Sequence, residues 1–423
     1  MKMMHPGETM SEPLAATAAV PLKRMLRRAE RMKKLRYGAL IAPLAVFLLL
    51  TFLWPIAALL LKSVDNPEVA AALPQTVHQL SGWPGKELPH EGAYAALVSD
   101  LSLGKGSKTL AEAAKRLNME EPGLRSLLMN TARKLPLATD AGPRESLVAM
   151  DERWGELRIW QLIARNASQK TDYYLLAALD LTRDASGEIS RGEQGDSVFT
   201  EIFGRTLWMS FVVTLYCLAL GFPLAYLLAS LSKRSSNLLM VFVLLPFWTS
   251  ILVRVAAWIV LLQQGGLINH ALIALGITDE PLQLVFNRVG VYVAMVHILL
   301  PFMILPLYSV MKGISPTYMR AAMSLGCPPF KSFWKVYFPM TVPGIAAGGL
   351  LVFILSMGYY ITPALLGSPK EQMVSYFVAF YTNETINWGM AAALSALLLA
   401  ATLLLYVVYN RLVGSATNGA PQR

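Results

Sequence analysis

Long apolar runs alternate along this chain with short polar segments rich in Pro and Gly. The runs near 37–61, 205–231, 237–262, 289–311, 340–366 and 389–413 are each long enough to cross a bilayer as a tilted helix. Six crossings are therefore predicted. Between the first two lies a block, 63–204, that is too polar to enter lipid. Within it, apolar residues recur at helical spacing from Leu97 through Leu117 and from Leu124 through Leu135. The stretch Tyr173–Thr182 reads as a strand leading to a turn at Ala185-Ser186-Gly187. The expected fold class is an all-α polytopic membrane protein with a mainly helical insert after the first span.

The segment 312–339, between the fourth and fifth runs, carries the densest local signals. Ser315 can accept the free N–H groups of a new helix, and Pro316 fits a first helical position. Gly326 can close that helix in the left-handed conformation. Cys327 precedes a proline and is pushed away from helical dihedrals, while Pro329 can open a second short helix. Helix, tight turn, helix is the prediction, a shape suited to docking in another protein's groove.

Charge gives the orientation. The arm before the first span carries Lys23, Arg24, Arg27, Arg28, Arg31, Lys33, Lys34 and Arg36. Lys233, Arg234, Lys312, Arg320, Lys331, Lys335 and Arg411 fall on the same side by parity, and the opposite short loops hold a slight excess of acids. By the positive-inside rule this side is cytoplasmic, with both termini, and 63–204 lies outside. The first apolar run is too long for a cleaved signal, and its end, Leu61-Lys62-Ser63-Val64-Asp65, offers no Ala-x-Ala site. The expected organisation is a basic arm 1–36 (its first 20 residues disordered in character), a first span 37–62, the insert 63–204, five further spans within 205–413 and a tail 414–423.

Composition agrees: 55% of residues are hydrophobic and only 15% charged. The net charge of +10 suggests a nucleic-acid partner, but the bases collect at the ends of apolar runs and not on one soluble face. Residues 65–200 hold about 19 of the 27 carboxylates and are acidic. Cys217 sits in an apolar run and Cys327 in the polar loop, so they read as separate reduced thiols. No metal-ligand spacing is present, and His90, His270 and His297 are isolated. Gly104-Lys105-Gly106-Ser107-Lys108-Thr109 lacks the offsets of a phosphate loop. No catalytic residue and no cofactor site is expected in this chain.

Within the spans, Arg254 is the one clear charge of the third, flanked by Trp248 and Trp258, close enough to share a helix face. A guanidinium in hydrocarbon must face protein or water, so Arg254 is either a pathway residue or a packing tie to carbonyls. His297 reads as an interhelical hydrogen-bonder. Pro223, Pro246, Pro301, Pro306 and Pro363 are expected to interrupt their spans and free carbonyls. Such carbonyls, with Tyr359, Tyr360 and Trp248, could receive ammonium groups; the same aromatics also suit an ordinary membrane interface. Gly344 and Gly348, four apart, permit close helix approach.

A family resemblance joins these features. Inner-membrane subunits of bacterial ABC importers carry Glu-Ala-Ala, three residues, Gly, nine residues, Ile-x-Leu-Pro. This chain has Arg320-Ala321-Ala322, Gly326 and Val336-Tyr337-Phe338-Pro339 with every spacing kept. Leu245-Pro246-Phe247-Trp248-Thr249-Ser250-Ile251-Leu252-Val253-Arg254, with Ala257-Trp258 behind it, is similar to the spermidine/putrescine permease branch, as is the run from Phe353 to Gly367. The resemblance covers roughly 200–413 and the first span. It implies a type I importer permease of the bacterial inner membrane, carrying polyamines or a related small amine; the same branch includes permeases for opines and organophosphonates.

The resemblance also implies the partners: a second permease subunit, two ATPase subunits that bind the ATP and Mg, a periplasmic solute-binding protein and membrane lipid. The implied coupling residues are Arg320, Ala321, Ala322, Gly326, Pro328, Pro329 and Pro339. Arg320 departs from the family's glutamate, which helps anchor the loop on the ATPase, so the loop's shape carries over and that charge contact does not. A membrane-anchored sensor is the rival from another class, but no cytoplasmic segment is long enough to signal. An ion-driven transporter would want carboxylates in the spans, which contain essentially none. The insert reads equally as a platform for the binding protein or as packing on the neighbouring permease.

Overall fold

A computed structural model describes residues 22–136, 142–183, 188–191 and 198–417. The 1–20 tail, the 185–187 turn and the last residues lie outside them. The chain divides into two units, Met1–Ala58 and Leu59–Arg423. The first contains helix α1 (Leu22–Leu48), a π turn (Leu49–Leu53) and the start of α2 (Trp54–Leu61). A proline ring donates no hydrogen bond and clashes with the carbonyl four residues back. Just ahead of Pro55 the helix loosens, with Trp54 N–H reaching Leu49 O five residues back.

In the second unit, the insert is built from α3 (Glu68–Ala72), α4 (Pro74–Leu80), α5 (Glu91–Leu103), α6 (Lys108–Glu120), α7 (Leu124–Lys134), α8 (Pro143–Met150), α9 (Leu157–Arg165) and α10 (Tyr173–Ala177). A two-stranded antiparallel ladder follows, β1 (Leu181–Arg183) with β2 (Ile189–Arg191), Thr182 opposite Ser190. The helix expected from Leu97 to Leu117 is two. Gly104 N–H closes the first on Asp100 O at 2.8 Å, and Ser107 Oγ accepts Leu110 N–H to open the second. The Gly104–Thr109 run is thus a connector and cap.

The strand expected over 173–182 is also corrected. Tyr173–Ala177 is helical, its first N–H held by Thr171 Oγ1, and only Leu181–Arg183 is extended. The helix sets Tyr173 and Tyr174 side by side against the Arg116 guanidinium, 4.4 and 5.1 Å from their ring centres.

Trp154 and Trp160 centre the insert's core with Tyr94, Leu97, Leu127 and Leu128. Their polar atoms are satisfied: Trp160 Nε1 donates to Trp154 O at 3.0 Å, and Trp154 Nε1 to Thr131 Oγ1 at 3.0 Å. Arg116, only 2% exposed, is held by Glu120 at 2.8 Å and donates through Nε to Asn66 Oδ1 at 2.9 Å.

The membrane core comprises α11 (Val198–Ser230), α12 (Lys233–Leu244), α13 (Ile251–Leu262), α14 (Leu267–Ala274), α15 (Arg288–Gly313), α16 (Thr317–Ser324), α17 (Pro329–Ser332), α18 (Phe338–Met357), α19 (Ile361–Leu366), α20 (Val374–Asn383) and α21 (Trp388–Thr417). Six helical stretches among the described residues are long and apolar enough to cross a membrane: Glu30–Leu61, Val198–Ser230, Ile251–Ala274, Arg288–Gly313, Pro329–Met357 and Trp388–Arg411.

The third crossing differs from the expected helix over 237–262. Pro246 lies in a 3-10 turn, Leu245–Trp248, and Thr249 is extended before α13 begins at Ile251. Pro223, Pro301 and Pro306, expected to interrupt their spans, lie inside continuous helices. The expected 340–366 span likewise ends at Met357, and Pro363 falls in the separate α19.

α11, α15 and α18 pack into one core through Met209, Val213, Cys217, Met295, Leu299, Met303 and Val352. Here Gly344 and Gly348 serve an intrachain contact. A Cβ at Gly348 would stand 2.9 Å from Met303 Sδ, and one at Gly344 3.1 Å from Val310 Cβ. The insert is seated on the start of α11 and on α20 and α21 through a separate apolar cluster. Tyr174, Ala178, Ile202, Val374, Met390 and Leu394 share an apolar cluster, and Asp180 accepts the N–H groups of Phe199 and Thr200 at the start of α11, 2.9 and 2.6 Å away.

Candidate functional site

The 312–339 segment forms an elbow. After α15, Ser315 Oγ accepts Thr317 N–H at 3.3 Å and α16 begins. Its other end closes as a Schellman motif: Cys327 N–H donates to Ala322 O at 3.1 Å and Gly326 N–H to Met323 O at 3.0 Å. Gly326 has φ +86, the left-handed region that glycine occupies without penalty. Pro328 is extended, and Pro329 opens the next helix as expected. That helix does not stay short. It passes through a π turn (Phe333–Tyr337), in which Phe338 N–H reaches Phe333 O, and continues past Pro339 into α18. Pro55 and Pro339 are accommodated by the same device.

Arg320, Ala321, Pro328, Pro329 and Pro339 are exposed, and Ala322 is half-buried. Arg320 makes no ion pair among the described residues. Leu325 is 89% exposed and Phe330 also faces outward, so the elbow presents apolar surface at its bend. On its inner side, Met319 packs against the α11–α15–α18 core, and Ser332 Oγ donates to Met319 O at 3.4 Å. An aromatic cluster unremarked in the sequence fastens the elbow to α11. Phe333 stacks on Tyr337 at 5.6 Å, Tyr226 meets both edge-on at 5.7 and 5.3 Å, and Phe222 lies 5.8 Å from Phe338. The signal available was aromatic spacing: Phe222/Tyr226 and Phe333/Tyr337 each lie four apart.

Of the five candidate pathway residues, the structure gathers three. Trp258 on α13 and Tyr359, just after α18, pack in one cluster with Val255 and Ala294. Arg254 lies within electrostatic reach of Tyr359 and of His297. Trp258 Nε1 donates to His297 Nδ1 at 3.2 Å, which fixes His297 as the tautomer that accepts at this nitrogen. Arg254 Nε and Nη1 are buried without a hydrogen-bond partner among the described residues, and Tyr359 Oη lies beside Thr362. Trp248 does not share a helix with Arg254. The break at Thr249–Ser250 intervenes, and Trp248 is 89% exposed. Tyr360 is exposed as well.

The fold is that of a multi-pass membrane protein. Residues 221–416 match the family described as "Binding-protein-dependent transport system inner membrane component". The chain is 34% identical over 244 residues to the spermidine/putrescine transport system permease protein PotB of Haemophilus influenzae, covering 56% of this chain and 85% of that one. It is 34% identical over 216 residues to PotB of Escherichia coli K12, covering 51% and 78%. A bacterial alginate ABC transporter solved with its alginate-bound periplasmic protein aligns at 16% identity and a TM-score of 0.43, covering 52% of this chain and 79% of that one. The chain belongs to the inner-membrane permease family of ABC importers.

Proposed function

We propose that this permease imports polyamines, with ATP hydrolysis supplied by partner subunits. It would pair with a second permease, rest on two ATPase subunits that bind ATP and Mg, and receive cargo from a periplasmic solute-binding protein. The basic side, with the elbow and both termini, would face the cytoplasm, and the insert the periplasm. The elbow is the observation that carries this reading: an exposed apolar bend, closed by left-handed Gly326, continuous with a membrane-crossing helix. A push on α16 would pass through the Met319–Ser332 contact into Pro329–Met357. The aromatic cluster would carry it to α11, and the Gly344 and Gly348 contacts to α15. Two packings of these helices would then supply the inward- and outward-open states, biased by the ATPase dimer. The polyamine assignment follows the names of the relatives.

The test is reconstitution. The tagged chain, purified from its own membranes, is expected to bring down an ATPase, and proteoliposomes of the complex to take up radiolabelled spermidine only with ATP. Uptake without ATP, or driven by an ion gradient alone, would overturn the reading. A second reading rests on Arg254, whose Nε and Nη1, unpartnered among the described residues, suit an anionic solute such as an opine or organophosphonate better than a cation. Competition of unlabelled solutes against spermidine uptake decides between them.

A further inference from the structure

A cleft of about 490 Å3 separates the insert's α6 from the loop that leads into α21, and nothing in the permease reading accounts for it. Its lining includes Glu68, Lys115, Arg116, Tyr174 and Trp388. Three features of the lining bear on what it holds. Lys115 Nζ donates to Thr385 O at 2.5 Å and lies 3.5 Å from Ile386 O, so two backbone carbonyls converge on one ammonium. Ile386 adopts φ +50, a conformation that β-branched residues rarely take, in the same loop.

Next, Glu68 Oε2 is buried and has no hydrogen-bond partner among the described residues. Three ion pairs surround it, Lys62 with Asp65 at 2.8 Å, Lys108 with Glu112 at 3.5 Å and Arg116 with Glu120 at 2.8 Å, while Arg116 Nη1 is, like Glu68 Oε2, without a hydrogen-bond partner among the described residues. Glu68 is therefore the carboxylate of this cleft left without a cation among the described residues. Finally, the Tyr174 side chain is within electrostatic reach of Glu68, and Trp388, 48% exposed, lines the cleft, where an indole can attract a cation.

We propose that this cleft is a binding site for an alkyl diammonium chain, held closed in the resting chain by Lys115. The lysine side chain is itself a four-carbon chain ending in an ammonium. The Thr385 and Ile386 carbonyls therefore already hold the chemical group that a linear polyamine would bring. A diammonium ligand displaces Lys115 from those carbonyls with one end and gives its other end to Glu68. The site lies on the insert, beside the first residues of the last membrane span, a position suited to receiving cargo before it enters the helices. This inference rests on the polyamine reading for the identity of the ligand.

The test uses the purified full-length chain in lipid nanodiscs, titrated with spermidine while tryptophan fluorescence is read, with Trp388→Phe supplying the background. Lys115→Met is expected to bind spermidine at least about tenfold tighter than the unaltered chain, because the resident ammonium is gone. Glu68→Gln added to Lys115→Met is expected to abolish that gain, and a neutral diol of the same chain length to give no response. Binding by Lys115→Met no tighter than wild type, or equally tight with and without Glu68, overturns the proposal. If Lys115→Met fails to fold, Glu68→Gln alone carries the test: a weakened Trp388 response supports the site, and an unchanged one removes it. ATP-driven spermidine uptake by the assembled wild-type transporter is a separate readout. Uptake with no cleft response removes the site alone; cleft binding without uptake keeps the site and removes the transport reading.

Discussion

Gly326 is the position where the elbow's geometry can be tested against its mere presence. The perturbation is a series, Gly326→Asn, Gly326→Ala and Gly326→Val. A Cβ built at Gly326 meets nothing within 4 Å, so the Ala member of the series isolates the backbone. At φ +86, an L residue carries a penalty of roughly 1–2 kcal/mol, smallest for Asn and largest for a β-branched side chain. One to two kcal/mol corresponds to a roughly 5–30-fold fall in the ratio of closed to unravelled turn. Cys327 N–H→Ala322 O and Gly326 N–H→Met323 O are the bonds lost when it opens.

The assay is the ratio of spermidine imported to ATP hydrolysed in proteoliposomes, with membrane insertion checked separately. The ratio is expected to fall in the order Asn, Ala, Val while insertion stays at the wild-type level. Three variants that import like wild type, or Asn as impaired as Val, would refute the argument that the left-handed closure transmits the motion.

Three other outcomes follow from the insert. Gly389→Ala places a Cβ 2.4 Å from the Tyr174 ring, and overpacking of this kind costs about 1–3 kcal/mol, so the melting temperature is expected to drop and Tyr174→Leu to restore part of it. Glu120→Ala strips the buried Arg116 of its carboxylate; breaking such a pair costs about 3–5 kcal/mol, to be seen as lost amide protection in α6 and α10. Tyr173 and Tyr174 are pushed from the ordinary 10.0 up to about 12, first by burial, with Arg116 pulling the other way. Since the folded value is the higher one, their contribution to stability is complete below pH 10 and lost as pH rises towards 12; tyrosinate absorbance and insert unfolding are expected to rise together across that window, and two tyrosines ionising near 10 in the folded protein would contradict it.

Much of the elbow was legible because its signals are local. Pro316 and Pro329 fix φ by their rings and Gly326, without a Cβ, admits the left-handed region, so helix, turn and helix could be read without a partner. What local signals missed was the continuation into α18, because the sequence does not announce that a π turn at Phe333–Tyr337 absorbs Pro339. Similarly, hydropathy located the membrane runs but could not show that Leu245–Ser250 breaks the third, which separates Trp248 from Arg254. Aromatic and apolar residues gave Tyr173–Ala177 strand character, yet the segment is helical and sets adjacent tyrosines on the buried Arg116, a contact no local pattern announces. The seating of the insert was illegible for a plainer reason. Lys115 and Thr385 are 270 positions apart, and a lysine facing a carbonyl leaves no pattern in either segment.

The most direct measurement places a photo-crosslinking amino acid at Leu325, on the exposed bend of the elbow, and irradiates native membranes. An adduct with an ATPase subunit is expected, formed from the cytoplasmic face and altered in yield by ATP. An elbow labelled only from the opposite face, or one that forms no adduct with any nucleotide-hydrolysing protein in membranes that import substrate, would contradict it.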